Sequence, residues 1–158
     1  MTTIKGFRNR LVNLNVAEAA AKAMEATSDQ LVLINREQML EGKRRDGKDI
    51  SPSYLEDPYF KTREAAQRYS DWKDELTPNP KRKKGVPNLF IIGTYHESIS
   101  ALIRGEVIQF NSTFADSVDI ERKFGVEIYG LNSEKRVGFI AEFLRPALLK
   151  NVRLSLRL

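Results

Sequence analysis

Residues 15–41 read as a single helix too apolar for one face to bury, and this constrains the fold of the 158-residue chain more than any other stretch. Asn15 is placed to cap it, the alanines between Ala17 and Ala26 favour it, and Gly42 is placed to end it. Met24, Thr27, Leu31, Ile34 and Gln38 fall on one stripe at spacings of three and four. Leu31-Val32-Leu33-Ile34, however, is apolar all round the helix. Whatever that stripe leaves uncovered must pack against the rest of the domain or against a neighbouring subunit.

Downstream, Asp46-Gly47, Ser51-Pro52 and Asp57-Pro58 break residues 42–61 into an irregular loop, which Ile50, Tyr54, Leu55, Tyr59 and Phe60 supply with apolar anchors. Thr62 caps a second helix that ends before Pro78 and carries Ala65, Ala66, Tyr69 and Trp72. Its Arg63, Glu64, Arg68, Asp71, Lys73 and Asp74 read as a solvated face. Three prolines and a glycine make residues 78–87 an extended basic loop, the centre of a longer irregular stretch over 77–88. Ile99–Ile103 and Glu106–Phe110 are strand-like and meet at Arg104-Gly105, a hairpin pattern. A short helix over Ser117–Phe124, stopped by Gly125, precedes a candidate strand at Val126–Tyr129. Asn132 or Ser133 then caps a helix to about Leu144. The last stretch supports two readings. Pro146 suits a first helical position, with Leu148, Leu149, Val152 and Leu156 on one side and Lys150, Arg153 and Arg157 beside them, yet residues 152–158 also alternate as a strand would.

A chain of this length forms one domain, here residues 1–158, and buries about 68–70% of its unfolded surface without staples. Lys and Arg exceed Asp and Glu by 26 to 21, a balance suited to phosphates or an acidic protein surface. The chain has no cysteine, so it carries no disulfide framework. The N-terminal Met1–Arg8 has no secretory apolar core, and no window approaches the roughly 18 apolar residues of a membrane span. A soluble, intracellular protein with no membrane partner is therefore expected.

Catalytic patterns are scarce. His96 is the only histidine, and with no cysteine a zinc site would need several carboxylates. Asp119, Glu121 and Lys123 form an E-x-K element like that of metal-dependent nucleases, but in a helical pattern. A Ser/His/Asp triad lacks a nucleophile elbow, and no glycine-rich phosphate loop occurs. The expectation is a protein that is not an enzyme and uses no cofactor or metal. Lys43, Arg44 and Arg45 with Lys81, Arg82, Lys83 and Lys84 are the candidate contacts to DNA or an acidic partner, because such runs neutralise phosphates without reading sequence. The candidate oligomer or partner contacts are Leu31, Val32, Leu33, Ile34, Tyr54, Tyr59 and Phe60.

Several segments, in order, resemble one family. Ile34–Gly42 followed by Asp46-Gly47 and Tyr54 looks like the opening of the tailed-phage virion morphogenesis proteins, the tail-completion or neck proteins of the head–tail connector. Gly85–Ile99 is similar to that family's lysine-rich loop and the turn after it, although the usual Thr-Gly pair stands here as Ile92-Gly93-Thr94. Phe124–Leu131 resembles a later block, and Arg145-Pro146-Ala147-Leu148 the start of the closing helix, so that the resemblance covers residues 30–155.

The resemblance implies an α+β subunit with a small, mainly antiparallel sheet of three to five strands, flanked by the long N-terminal helix and C-terminal helices. It implies copies of the chain forming a ring around the DNA passage in the virion neck, joining portal or adaptor to tail after assembly in the host cytoplasm. In this reading the 42–61 and 77–88 loops reach toward neighbours, and changing Lys81, Arg82, Lys83 and Lys84 together to Ser leaves folding intact while abolishing head–tail joining. The alternative is a small DNA-binding accessory protein that uses the basic loops for non-specific duplex contact, and a metal-dependent nuclease is a third reading.

Overall fold

The computed structural model describes residues 4–105 and 107–157, so Met1–Thr3, Glu106 and Leu158, which the sequence reading touched, lie outside the described residues. Three helices lead: α1 (Ile4–Val12), α2 (Val16–Ala26) and α3 (Ser28–Leu40). The expected single helix is thus broken. Thr27 leaves helical geometry at φ −115°, and its hydroxyl donates to Ala23 O at 2.9 Å and Met24 O at 3.3 Å. Ser28 Oγ donates to Glu25 O at 2.9 Å. Two adjacent hydroxyls capture the last carbonyls of α2, and the chain turns there. Asn15 caps α2 as expected, accepting from Glu18 N at 3.1 Å.

Gly42 ends α3 as expected. Its φ of +70° lets its N–H reach Met39 O at 2.9 Å while Lys43 N reaches Gln38 O at 3.0 Å, closing a Schellman cap. A side chain could not replace it, since a Cβ there would lie 2.6 Å from Val86 Cγ1. The chain then turns at Asp46-Gly47, enters α4 (Arg63–Leu76) with Thr62 as N-cap, and passes the short α5 (Thr94–Glu97).

The sheet is a single antiparallel hairpin of β1 (Ile99–Arg104) and β2 (Val107–Ser112), paired from Ile99 with Ser112 to Arg104 with Val107. Among the described residues the expected three to five strands reduce to two. Val126–Tyr129, read as a strand, forms instead a turn of 3₁₀ helix over Val126–Ile128 after α6 (Ser117–Phe124) and Gly125. The reason lies in its pairing: Tyr129 N closes locally onto Val126 O at 3.1 Å, leaving no ladder to join.

Asn132 caps α7 (Ser133–Phe139) through its side chain, which accepts from Lys135 N at 2.9 Å. A wide π turn over Ile140–Leu144 then leads without a break into α8 (Arg145–Leu156). Pro146 therefore lies in the first turn of α8, as expected, although the helical path ahead of it is continuous. Its ring removes the N–H that would serve Glu142 O, and the widened turn ahead of it accommodates the loss. The C-terminal stretch is helical through Leu156, which settles the two readings of the described residues there. α8 packs on α2 and α1, with Asn151 Nδ2 donating to Ala19 O at 3.2 Å and Arg10 Nε to Leu156 O at 2.9 Å.

The core gathers Val32, Met39, Ile50, Val86, Tyr95, Ile99, Ile128 and Tyr129. Two carboxamides of α3 stitch it to the chain after α6. Asn35 Nδ2 donates to Ile128 O and Gly130 O at 3.1 and 3.0 Å. Gln38 Nε2 donates to Gly130 O at 2.9 Å, and its Oε1 accepts from Asn132 N at 2.7 Å. Among the described residues no helix is long and apolar enough to cross a membrane.

Two predictions follow from this packing. Gln38 is fully buried, so Gln38→Leu keeps its volume but strands the Asn132 N–H and takes one of two donors from Gly130 O, and chemical denaturation should read a loss of about 1–3 kcal/mol. The second concerns alkali. Tyr95 donates to Tyr129 at 3.0 Å, and Tyr129 to Glu121 Oε1 at 2.9 Å. Burial pushes Tyr95 up to about 12 from an ordinary value of 10.0. Tyr54 and Tyr129 are also raised, first by burial. Folded values above unfolded ones mean this stability is complete below pH 10 and is lost as pH climbs beyond it. Tyrosinate absorbance from these buried rings should therefore rise together with loss of the helical circular dichroism, whereas titration near pH 10 with the helical signal intact would refute this.

Candidate interaction surface

The basic residues expected to meet DNA or an acidic partner are mostly engaged within the chain. Lys43 and Lys83 both pair with Asp49, Arg44 with Asp46 at 2.7 Å, and Lys81 with Glu41 at 3.2 Å. Arg45 lies 3.9 Å from Glu127. Arg82 is a correction to the sequence reading. Its side chain is 2% exposed, pairs with Asp74 at 2.8 Å, and donates to Val86 O at 2.9 Å and Thr77 O at 3.1 Å. A guanidinium in that position braces its own loop and cannot reach a phosphate. Of this set, Lys84 alone is exposed without an ion pair among the described residues.

The expected oligomer contacts divide in the same way. Val32 and Tyr54 are buried in this chain, which corrects their reading as contact residues, and Leu31 is buried except where it lines a groove beside the hairpin. Leu33 is 54% exposed, Ile34 is half-buried, Tyr59 is 79% exposed, and Phe60 leans on the Tyr69 ring. Neither loop is a free arm. Ile50 N donates to Gly42 O and Tyr54 N to Gly85 O, each at 2.8 Å, which folds residues 42–61 back onto the body. In the 77–88 loop, Val86, Pro87 and Asn88 are buried.

The E-x-K residues diverge on α6. Asp119 is held by Arg122, Glu121 accepts from Tyr129, and Lys123 pairs with Asp57. Among the described residues no group of three His, Cys, Asp or Glu side chains is placed to hold a metal ion. His96 is buried, with Nε2 at 2.9 Å from Asn88 O, and burial first, then the charges of Arg36 and Lys73, lower its pKa.

His96 belongs to a set of buried polar groups beneath residues 86–93. Lys73, read from sequence as part of a solvated face, is 1% exposed and its ammonium donates to Phe90 O. Its pKa is lowered to about 8 by burial and then by Arg82. Asn88 Nδ2 donates to Thr77 Oγ1 at 2.7 Å, and Arg82 holds Val86 O. Between these braces Leu89 adopts a φ of +57°, a conformation that costs a branched residue about 1–3 kcal/mol and persists only where the surroundings impose it. Gly93 turns the chain away at φ +92°. The outcome is a firmly held projection with Ile91 54% and Ile92 78% exposed.

A groove of about 710 Å³ opens elsewhere, between the hairpin, α3 and the α7–α8 helical path. Leu31, Ile108, Phe110, Phe139, Ile140 and Leu144 give it an apolar floor, and Arg45 and Arg136 lie at it too. Glu121, its carboxylate, is engaged by Tyr129. No residue around the projection lines this groove, so the two occupy different parts of the surface.

The sequence reading missed both features. A run of Leu89-Phe90-Ile91-Ile92 between Pro87 and Gly93 is the signal for the projection, since prolines and glycines so close leave no room for a buried helix. The groove had no local signal, being assembled from segments far apart in sequence. No protein-family model matches the chain, and no curated protein or solved structure is significantly similar to it.

The pairing of Arg82 alters the expected behaviour of the basic run. Arg82→Ser takes a donor from Val86 O and Thr77 O and leaves the partly buried Asp74 unpaired, and should cost about 1–3 kcal/mol in denaturation experiments. Lys84→Ser should stay within about 0.5 kcal/mol of the parent protein. The fourfold replacement is therefore expected to destabilise the chain chiefly through Arg82.

Proposed function

We propose that this chain is a structural assembly subunit, of the kind that forms a ring between portal or adaptor and tail in the neck of a tailed phage. One observation carries the reading. Buried polar groups hold an apolar projection out into solvent, while an apolar groove stays open elsewhere on the same molecule. A monomer gains nothing from a strained loop that exposes two isoleucines; a subunit that must meet a neighbour in one fixed geometry does. The order of motifs from Ile34 to Leu148 supplies the particular assembly.

The internal pairing of the basic residues bears on the alternative. With six of the seven occupied by carboxylates of the same chain, little charge is left to release counterions from a duplex. Any contact with the DNA in the channel is weak and non-specific in this reading.

The test is assembly without the chain. Particles made in its absence should accumulate as DNA-filled heads and separate tails under the electron microscope, and purified protein should restore joining. Joined particles at normal yield would contradict the proposal, as would tight duplex binding by the isolated monomer that falls steeply with salt.

A further inference from the structure

We propose that copies of this chain associate head to tail, the Ile91–Ile92 projection of one copy seating in the apolar groove of the next. The contact deepens the reading of the chain as a self-assembling subunit and rests on it. Its parts are alike in apolar character. The projection is exposed, apolar and held by Lys73, Asn88 and His96, while the groove is lined by Phe110, Phe139, Ile140 and Leu144.

They are also complementary in charge. Glu97 stands beside the projection, where a Cβ on Gly93 would lie 3.8 Å from its Oε1, and it is exposed with no ion pair among the described residues. At the groove Arg136 is exposed and unpaired among the described residues, Arg45 has only a distant carboxylate at 3.9 Å, and Glu121 is turned to Tyr129. An acid beside the projection and an unpaired base, Arg136, at the groove favour another copy as occupant over a cationic or uniformly apolar partner, and they set its register.

Placement decides the symmetry. A projection and groove on one patch would give a two-fold dimer, but these lie on different parts of the surface. Each copy therefore offers one of each, and the contact repeats from subunit to subunit until a rotation closes it.

Two substitutions at exposed positions test this in the full chain by analytical ultracentrifugation. Ile92→Asp disables the projection at a position 78% exposed, and Ile140→Asp disables the groove at one 45% exposed. Each variant alone should be monomeric, with association weakened at least tenfold and circular dichroism unchanged. Mixed in equal amounts, they should form two-copy complexes that grow no further, because each pair holds one working projection facing one working groove. Should Ile140→Asp fail to fold, exposed Arg136→Glu replaces it, and its weakened assembly should be rescued by Glu97→Arg in the same chain.

If both variants assemble like the parent protein, this contact is wrong while the self-assembling reading stands. If the variants are monomeric but their mixture stays monomeric, the head-to-tail geometry is wrong. A parent protein that remains monomeric at every concentration overturns the contact and the self-assembling reading together.

Discussion

Two buried cations, Lys73 and Arg82, govern how the middle of this molecule is arranged. Both donate to backbone carbonyls of the segment after Gly85, Lys73 to Phe90 and Arg82 to Val86, and Arg82 is itself anchored by Asp74 on α4. Carbonyls fixed from beneath allow the intervening backbone to take up the unfavourable φ at Leu89 and to turn outward. Replacing either cation by a short side chain would leave buried acceptors unpaired, so the geometry of the projection and the stability of the fold are bound together. A loop that reads from its prolines as extended and basic is tied to the body at Val86 and Phe90.

On the opposite side of the core, α3 performs the matching task. Asn35 and Gln38 hold the 128–132 segment, which places α7 against α3 and sets the width of the groove beside the hairpin. The projection and the groove are thus both built on buried polar contacts rather than on apolar packing alone. Such contacts accept one geometry only, as an assembling surface requires.

Local patterns in the sequence anticipated much of this architecture. The Asn15 and Thr62 caps, the Gly42 stop, the Asp46-Gly47 turn, the hairpin and the Ser117–Phe124 helix all follow from rules that act over a few residues. The failures came where distant groups decide. Thr27 was counted into an apolar stripe, yet its hydroxyl closes α2. Lys73 and Arg82 were assigned to solvent because lysine and arginine usually lie there. The carbonyls that bury them lie 4 to 17 residues away in sequence, and no helical or loop pattern marks them. Val32 is covered by the chain's own core, while Leu33 and Tyr59 stay exposed as expected, and Ile91 and Ile92 add an exposed apolar pair that the sequence reading did not mark as a contact.

The most direct measurement of the account is hydrogen exchange on the full chain, compared between dilute monomer and assembled protein. Slowed exchange on assembly should concentrate at residues 89–93 and at 136–144 together, because one contact covers both. Protection at only one of these segments, or at the basic 43–45 and 81–84 stretches with both left unchanged, would contradict it.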